Sequence, residues 1–511
     1  MTLSYINNIA LHQNGNSRNF IYFSGDGQID RISLAELDRR AAVIAGKLCD
    51  LGIKRGDRIG VLASNSLEWV LVDLAAIKLG AVTAGFEAGR FQPQDIVARY
   101  GLALLFHDQC TSEAAKQIGP NHVKAWVRNE QENPCRYFHN AYARNDICAI
   151  KFTSGSTGYP KGLEATVGSV TDSISAVQAL FEHNSQDNIL IFLRLALLQQ
   201  RYWIYSALYH GHDITISSPA DVFCAAQSSR PTIVMGVPAF YEDVMSRLKS
   251  SAPQVSHDLE MRSAAIQSML GGRIRYLWTG SAPASAGVLR FFNDCGVPLY
   301  EGYGLNETCI VSKNHPGAHR LGSVGKPLPN KAIRFDENGI IIVASRHPVN
   351  TQYAFCQEGE SERMFLPTGE VKTWDIGYLD EDGFLFVQGR VDDIVTLSSG
   401  RNVLVTPLET LLKASQDVQG CVLFGNGKPF LTAIVSSNGT LSRARGEALL
   451  DEVNRGLQAE QKIAGLVVAS EPFSVENGLL TSQYKPKRRA IFERYKNEID
   501  RVYKNHAGLP G

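Results

Sequence analysis

The chain has 511 residues, more than one hydrophobic core usually supports, so two or more structural units are expected. Its 51 basic and 51 acidic residues balance at a pI near 7.2, so no net field would draw it onto nucleic acid or anionic lipid. Its nine cysteines form no CxxC pair, and no apolar run approaches the length of a membrane span. These properties predict a cytoplasmic protein that acts on a small molecule, without a nucleic-acid partner or an integral membrane segment.

The first part of the chain alternates helical and strand patterns. Leu34–Leu51 is apolar at helical spacing, Arg58–Ala63 is a compact strand pattern, and Ser66–Leu79 is again helical. Further strand patterns, each followed by a helical stretch, occur at Asn188–Leu193, His212–Ser217, Thr232–Val237 and Arg275–Thr279. Alternation of this kind predicts an α/β fold with layered sheets.

The pattern changes beyond about residue 340, where short strand patterns are punctuated by glycine and aspartate. The step Asp382-Gly383 predicts a hairpin turn. After Arg390 a new unit begins with a strand pattern at Asp393–Leu397, and it contains a helix from about Leu441 to Glu460. No low-complexity linker separates the units. We therefore predict a large N-terminal domain of several subdomains at residues 1–390 and a small α+β C-terminal domain at residues 391–511, joined by a short hinge.

The most specific local pattern is FTSGSTGYPKG at residues 152–162, which follows a strand pattern at Ile147–Lys151. Glycines let the backbone approach an anion closely, and hydroxyl side chains add donors around phosphate oxygens. The spacing differs from that of a Walker A loop. By composition alone, the run is also compatible with a flexible surface loop. The residues of this predicted phosphate loop are Thr153, Ser154, Gly155, Ser156, Thr157 and Gly158, with Lys161 as its positive charge.

FTSGSTGYPKG resembles the signature of the adenylate-forming (ANL) superfamily, which includes acyl-CoA synthetases, luciferases and the adenylation domains of peptide synthetases. Further motifs of that superfamily follow in the same order, namely WTGSAP, YEGYGLNE, WDIGYLDEDGFLFVQGR and NGLLTSQYKPKRR. The resemblance covers roughly residues 20–500. It implies ATP and Mg²⁺ as cofactors, and activation of a small-molecule carboxylic acid as its acyl adenylate.

The resemblance assigns nucleotide contacts to two glycine-containing segments. The adenine pocket would comprise Gly280, Ser281, Ala282, Pro283, Glu301, Gly302, Tyr303 and Gly304, with the Tyr303 ring stacked on the base. Glu307 and Thr153 would hold magnesium, a hard cation that needs only one or two carboxylates besides phosphate oxygens. Asn306 stands where the family commonly has a Thr that bonds the α-phosphate, and its amide still donates a hydrogen bond.

The later motifs supply the ribose contacts, the hinge and a catalytic lysine by the same resemblance. Asp375 has acceptor oxygens for two vicinal ribose hydroxyls, and Arg390 is a donor for the same sugar or its phosphate. Asp392 stands at the family's hinge. Lys485 matches the family's catalytic lysine, with Lys487 as the second choice. The predicted catalytic set is therefore Lys485, Glu307 and Lys161.

The segment FLRLALLQQRYWIYSALYH at residues 192–210 resembles the acyl-pocket segment of fatty acyl-CoA synthetases, where a Pro and a His are common. Arg194 and Leu197 stand at what look like those places. Tyr202, Trp203 and Phe240 are candidate walls of an apolar acyl pocket, although aromatic residues at helical spacing also fit an ordinary core. The missing His indicates a nonstandard acid or a changed gating motion.

The C-terminal motif looks more like that of long-chain acyl-CoA ligases than that of peptide-synthetase domains. We therefore predict CoA as the acyl acceptor, and a monomer or dimer as the working state. An amino-acid amine, as in the coronafacic acid ligases, and an acyl carrier protein are the alternative acceptors. Asn306 and Trp374, a residue that stands where the family usually has Gly and would narrow the nucleotide or acyl channel, also leave open an inactive nucleotide-binding homologue.

Overall fold

A computed structural model describes residues 3–11, 16–25, 28–89, 91–110, 116–129, 136–153, 160–251, 258–415, 417–437, 441–481 and 484–507. In chain order its strands are β1 (Phe20–Gly25), β2 (Gln28–Ser33), β3 (Arg58–Leu62), β4 (Val82–Gly85), β5 (Leu102–His107), β6 (Gln117–Ile118), β7 (Ile147–Thr153), β8 (Lys161–Thr166), β9 (Asn188–Ile191), β10 (Asp213–Ile216), β11 (Ile233–Met235), β12 (Tyr276–Thr279), β13 (Leu299–Leu305), β14 (Cys309–Lys313), β15 (Lys326–Pro327), β16 (Lys331–Phe335), β17 (Ile340–Ser345), β18 (Val371–Leu379), β19 (Leu385–Arg390), β20 (Ile394–Thr396), β21 (Asn402–Leu404), β22 (Gly420–Phe424), β23 (Leu431–Ser436) and β24 (Ile463–Val468). Its helices are α1 (Tyr5–Ala10), α2 (Leu34–Asp50), α3 (Leu67–Leu79), α4 (Pro93–Arg99), α5 (Pro120–Arg128), α6 (Val167–Phe181), α7 (Leu198–His210), α8 (Val222–Ser229), α9 (Pro238–Ser251), α10 (Leu259–Met269), α11 (Ala286–Asn293), α12 (Glu360–Met364), α13 (Thr406–Lys413), α14 (Arg443–Asn454), α15 (Arg488–Arg494) and α16 (Lys496–Ala507).

The first large sheet has the order β6-β5-β3-β4-β7-β8. All its neighbouring strands are parallel except β8, which returns antiparallel to β7. The helices between its strands are capped as their sequences indicate, because the Ser33 and Ser66 hydroxyls accept from the first turns of α2 and α3, and α3 ends at Gly80 with φ 77°. The elements predicted at residues 34–51, 58–63 and 66–79 are confirmed to within one residue at each end.

The second large sheet runs β15-β14-β13-β12-β11-β9-β10-β1-β2. Its central strands from β13 to β1 are parallel neighbours, and the strands at its two edges are antiparallel. Strands β9, β10, β11 and β12 are those predicted from the apolar patterns. The two large sheets share an apolar core that contains Ile59 of β3 and Ile189 of β9. This packing brings the ends of β7, β12 and β13, which carry the predicted nucleotide motifs, into one body.

The last third of the chain forms smaller sheets. Strands β16 to β19 make an antiparallel sheet, and Gly383, with φ 80°, turns β18 into β19 as predicted. A 3₁₀ turn, Val391–Asp393, follows β19, and the sheets β20-β21 and β22-β23-β24 lie beyond it with apolar clusters of their own. The division at residue 390 stays a prediction, although this turn lies at that position.

One predicted helix is shorter than expected. The helix predicted from about Leu441 to Glu460 corresponds to α14, which ends at Asn454. Gly456 lies two residues further on, and glycine is disfavoured in a helix because it loses more conformational entropy than other residues. Among the described helices, none is long and apolar enough to cross a membrane.

Candidate active site

Glu307, the predicted magnesium ligand, lies in the turn between β13 and β14 and is 6% exposed. Tyr353 donates its hydroxyl to Glu307 Oε1 at 2.6 Å. Burial, and then the charge of Glu307, raise the pKa of Tyr353, so the phenol stays protonated and remains a donor. A single carboxylate with its second oxygen open fits an ion such as Mg²⁺, which is bound mostly through phosphate oxygens and water. No group of three His, Cys, Asp or Glu side chains suited to a metal occurs in the described part of the chain.

The predicted phosphate loop connects β7 to β8. Thr153 ends β7 and is paired in register with Lys161, which begins β8. The predicted loop residues Ser154, Gly155, Ser156, Thr157 and Gly158 lie outside the described residues. Thr153 and Lys161, which flank the loop, are therefore held side by side. They lie at the carboxyl end of β7, in the parallel part of the sheet, where ligands of α/β folds commonly bind.

A segment that sequence analysis did not identify joins Lys161 to Glu307, the predicted magnesium ligand. Lys161 Nζ is 3.0 Å from Glu360 Oε1, and both side chains are largely buried, at 16% and 13% exposed. The same Nζ lies 5.4 Å from the centroid of the Tyr353 ring, whose hydroxyl bonds Glu307. The backbone N–H of Gly162 donates to Phe355 O at 2.7 Å. Residues 353–360 thus hold Lys161 and Glu307 in one network.

The two predicted adenine segments approach each other closely. A Cβ at Gly280 would lie 3.2 Å from the carbonyl oxygen of Gly302, so small residues are needed there. Ser281 adopts φ 69°, a left-handed conformation that is uncommon for a serine. Gly280, Ser281, Gly302, Tyr303 and Gly304 all line one cavity. Ala282 and Pro283 follow Ser281 in the loop that leads to α11.

Glu301, also predicted to lie in the adenine pocket, is a buried carboxyl group on β13. It is 5% exposed, and its Oε1 accepts a hydrogen bond from the Ala284 N–H at 2.7 Å. Burial raises the pKa of Glu301 to about 7. Burial also lowers the pKa of the nearby Lys313, which donates to the Tyr300 carbonyl and lies 3.5 Å from the centroid of the Trp278 ring. The buried Lys313 was not recognised from the sequence as part of this region.

Tyr303 and Arg390 both hydrogen-bond Asp375, and all three are predicted nucleotide contacts. Asp375 and Arg390 are register partners on β18 and β19, and Arg390 Nη1 donates to Asp375 Oδ1 at 2.9 Å. Tyr303 donates its hydroxyl to Asp375 Oδ2 at 2.5 Å. Burial raises the pKa of Asp375, and Arg390, Tyr303 and then Lys485 oppose that rise. Each carboxylate oxygen has a further lone pair, so this arrangement can also accept ribose hydroxyls.

Trp374, which stands where the family usually has Gly, has a strained backbone conformation, and its indole ring is held by contacts with Arg363 and Lys372. Its φ is 62°, a left-handed conformation that glycine adopts without strain and tryptophan rarely does. The indole N–H donates to the Arg363 carbonyl at 3.0 Å, and the ring lies against the Arg363 and Lys372 side chains. Trp374 is not among the residues that line the cavity.

Lys485, the predicted catalytic lysine, comes from the C-terminal part of the chain and interacts electrostatically with Asp375 and Arg390. Its backbone N–H donates to Thr481 Oγ1 at 3.1 Å, and the preceding Tyr484 has φ 59°. Lys485 is an exposed residue. The surrounding protein nevertheless lowers the pKa of Lys485, Arg390 lowers it further, and Asp375 opposes the shift. The ammonium is therefore within electrostatic range of the ribose pair.

The predicted hinge residue lies directly after the ribose pair. Asp392 is in the 3₁₀ turn that follows β19, and its Oδ1 is 3.3 Å from Arg363 Nη2. The next residue, Asp393, accepts from Arg488 at 2.9 Å. Lys487, the second choice for the catalytic lysine, precedes α15.

The predicted acyl wall borders a cavity of about 50 Å³, the same cavity that the predicted adenine segments line. Trp203 lines it, and the Tyr202 hydroxyl reaches the lining residue Cys309, with 3.1 Å between Oη and Sγ. Phe240, the third candidate wall, packs against Phe192 in a separate apolar cluster and is not among the lining residues. Asn306 is half-buried and makes no side-chain hydrogen bond to a described residue.

Left-handed backbone is concentrated at this site. Four of the non-glycine residues with positive φ in the described part of the chain belong to it, namely Ser281, Cys309, Trp374 and Tyr484. Such conformations cost free energy and persist where surrounding contacts hold them, most often at functional sites. They support the assignment of these segments to one site.

Comparisons with known proteins agree with this geometry. The profile of the AMP-binding enzyme family matches residues 9–341, and that of the AMP-binding enzyme C-terminal domain matches residues 392–507. The chain is 26% identical to a long-chain-fatty-acid–CoA ligase, FadD15, of Mycobacterium bovis, over 94% of this chain and 93% of that protein. It is 25% identical to 2-succinylbenzoate–CoA ligase of Bacillus pumilus, over 74% of this chain and 76% of that protein.

Solved structures show the same fold. The crystal structure of the anthranilate CoA ligase AuaEII in complex with anthranoyl-AMP has a TM-score of 0.80 at 18% identity, covering 99% of this chain and 98% of that one. ATP-bound MatB from Rhodopseudomonas palustris has a TM-score of 0.80 at 20% identity, covering 97% and 99%. The predicted α/β class, with a large N-terminal and a small C-terminal domain, is confirmed. The chain belongs to the AMP-binding enzyme family.

Proposed function

We propose that this protein is an AMP-forming acid–thiol ligase, which activates a carboxylic acid with ATP and transfers the acyl group to CoA. The observation that carries the proposal is the convergence of predicted nucleotide contacts on one carboxylate, because Arg390 donates to Asp375 at 2.9 Å and Tyr303 donates to it at 2.5 Å. A lysine brought from the C-terminal part of the chain to the predicted ribose site is suited to act on the adjoining phosphate. The roles given below to individual residues are part of the proposal.

In the first half-reaction a carboxylate oxygen of the acid attacks the α-phosphorus, and the bond from that phosphorus to pyrophosphate breaks. Lys485 neutralises the charge that develops on the α-phosphate oxygens, and Lys161 holds the leaving pyrophosphate. Glu307, positioned by Tyr353, would hold magnesium, which supplies further neutralisation of the triphosphate when bound. Asp375 and Arg390 orient the nucleotide through its ribose.

In the second half-reaction the CoA thiolate attacks the acyl carbonyl carbon, the bond from that carbon to the adenylate oxygen breaks, and AMP leaves. Lys485 has no role in this step. We infer that rotation about Asp392 moves Lys485 away and clears the approach of the thiol, because a hinge needs only a few residues that can change φ and ψ.

Relatives favour CoA as the acceptor. The similar proteins FadD15 and 2-succinylbenzoate–CoA ligase are CoA ligases by name, and AuaEII is a CoA ligase whose structure holds an acyl adenylate. An amino-acid amine and an acyl carrier protein are the other candidate acceptors, and they remain outcomes of the test. We also propose a cytoplasmic monomer or dimer, on the balance of charge and the isolated cysteines.

Acid-dependent exchange of labelled pyrophosphate into ATP tests the first half-reaction across a panel of acids. Mass spectrometry of a reaction containing ATP, an active acid, CoA and mixed amino acids tests the second. We expect acyl-CoA as the product. Formation of an amide alone would contradict the proposed acceptor, and absence of exchange with every acid would favour an inactive nucleotide-binding homologue.

A further inference from the structure

Arg488, three residues after Lys485, joins separate segments of the C-terminal part of the chain. Its Nε donates to Asp393 Oδ1 at 2.9 Å. Its Nη1 and Nη2 donate to the two carboxylate oxygens of Glu409, both at 2.8 Å. Asp393 ends the 3₁₀ turn that contains Asp392, and Glu409 lies in α13. One guanidinium therefore ties the turn after β19 and a helix to the segment that carries Lys485.

The contact between Arg488 and Glu409 fixes geometry as well as charge. Two parallel hydrogen bonds between a guanidinium and a carboxylate hold the two groups in a defined relative orientation. The Glu409 side chain is 9% exposed and the Arg488 side chain 30%. Glu409 Oε1 also accepts from the Leu423 N–H of β22 at 2.7 Å. Arg488 is therefore anchored, through Glu409, to the β22-β23-β24 sheet.

Asp393 fixes the other end of this network. Thr406 Oγ1 donates to Asp393 Oδ2 at 3.1 Å, so each carboxylate oxygen of Asp393 accepts from a protein donor. The Val405 N–H donates to the Asp393 carbonyl oxygen at 3.1 Å. The residue that follows the predicted hinge residue Asp392 is thereby joined to the beginning of α13.

The segment that carries Lys485 is short and internally bonded. The Thr481 N–H donates to the Lys485 carbonyl oxygen at 2.8 Å, and the Lys485 N–H donates to Thr481 Oγ1 at 3.1 Å. Helix α15 begins at Arg488. Because only two residues separate Lys485 from Arg488, anchoring of the Arg488 guanidinium restricts where the Lys485 backbone can lie.

Lys485 and Asp393 both act on the predicted ribose carboxylate. Burial raises the pKa of Asp375, and among the smaller causes the charge of Lys485 lowers that pKa while the charge of Asp393 raises it. The two segments that Arg488 connects therefore both lie within electrostatic range of Asp375. A change in the position of either segment alters the charge that reaches the nucleotide contacts.

We propose that Arg488 is a positioning residue for adenylation, which holds Lys485 and the turn after β19 in one rigid unit. This inference deepens the proposed function and rests on it. Rotation about Asp392 carries Arg488 and Lys485 together, so the turn sets the position of the ammonium. Arg488 acts through Lys485 and does not itself contact the substrate. Without the guanidinium, Lys485 occupies more positions, and its charge is placed less often at the α-phosphate.

Arg488→Met tests this role, and Arg489→Met makes the same chemical change at the exposed neighbouring position as its control. We expect kcat for acid-dependent pyrophosphate exchange to fall about tenfold or more in Arg488→Met, while KM for ATP changes less than about twofold. Thioester formation from preformed acyl adenylate should remain intact. Arg488→Lys keeps the charge but not the two parallel hydrogen bonds, so its exchange should be intermediate. Arg489→Met should exchange as the wild type does.

A double-mutant cycle with Lys485→Ala separates positioning from general damage to the fold. Because Arg488 acts through Lys485, Arg488→Met should lower exchange less than about twofold when residue 485 is already alanine. Glu409→Gln keeps the size of the side chain but loses the charge that pairs with Arg488, and it carries the same test if Arg488→Met does not fold. Thermal denaturation shows which variants are folded.

Three results overturn the positioning role while the ligase function stands. They are unchanged exchange in folded Arg488→Met, equal loss in both half-reactions, and an effect of Arg488→Met that is as large with Lys485→Ala as without it. Glu409→Gln is judged by the same three results. Absence of exchange with every acid in the wild-type protein overturns the ligase function and the role of Arg488 together.

Discussion

Two regions of the site differ in how their polar groups are paired. The nucleotide side denotes the predicted nucleotide contacts Glu307, Asp375, Arg390 and Lys161, and the acyl side denotes the region around the predicted acyl wall on α7. On the nucleotide side Glu307 is bonded to Tyr353, Asp375 to Arg390, and Lys161 to Glu360. On the acyl side Gln200 has no partner among the described residues, and Lys151 has a thiol. Groups that meet the same nucleotide in every turnover can be held in place beforehand, which agrees with the predicted roles of these residues.

The largest effect is expected from Lys485→Ala, which removes the mobile charge of the nucleotide side. Pyrophosphate exchange should fall about a hundredfold to a thousandfold, the loss typical of one transition-state donor. Thioester formation from a preformed acyl adenylate should remain largely intact. Lys487→Ala is the matched control and should change exchange little. Equal loss in both half-reactions would show that Lys485 is not specific to adenylation.

Tyr353→Phe tests whether the hydrogen bond from Tyr353 positions Glu307, the predicted magnesium ligand. The hydrogen bond to Glu307 is 2.6 Å long and involves a charged acceptor. Such bonds contribute about 1.5–3 kcal/mol, so kcat/KM for Mg²⁺-ATP should fall about tenfold to a hundredfold. The KM for the carboxylic acid should change little, because Tyr353 is not among the residues that line the cavity. Tyr378→Phe, at an exposed tyrosine, is the control. An unchanged requirement for magnesium in Tyr353→Phe would contradict the positioning role.

Asp392→Pro tests whether the two half-reactions require two different orientations of the C-terminal part of the chain. Proline fixes φ near −65°, so the turn after β19 would favour one pose. We expect one half-reaction to fall about tenfold while the other is spared, as measured by exchange and by transfer from preformed adenylate. Asp392→Ala loses the contact with Arg363 but keeps backbone freedom, and should spare both. If proline slows both steps to the same extent, the hinge lies elsewhere.

Glu301→Gln should have the smallest effect, on the pH dependence of stability. The pKa of Glu301 is raised from 4.5 to about 7, so the folded protein keeps a proton that the unfolded chain releases. Stability from this group is present below pH 4.5 and is lost as pH rises to about 7. The slope reaches about 1.4 kcal/mol per pH unit. Urea unfolding at several pH values should show a shallower dependence in the variant, and an identical dependence would contradict the assignment.

Much of the fold followed from local patterns. Leu34–Leu51 and Arg58–Ala63 were predicted with nearly correct bounds, because capping serines and continuous apolar runs are local signals. The helix predicted to reach Glu460 was wrong at its C-terminal end, where Gly456 stops it. The motif order located the segments that carry Asp375, Arg390 and Lys485, while their roles remain predictions.

The sequence by itself determined the family, the α/β class and the order of the nucleotide motifs, since each is written in short stretches of neighbouring residues. Only the tertiary structure decided which side chains meet, because Tyr303 reaches Asp375 and Tyr353 reaches Glu307 across long separations in the chain. A lysine inside the apolar strand ICAIKFT is visible in the sequence, but its contact with the Cys309 thiol of β14 is not. Hydrogen bonds and burial depend on distances in space, which local patterns do not specify.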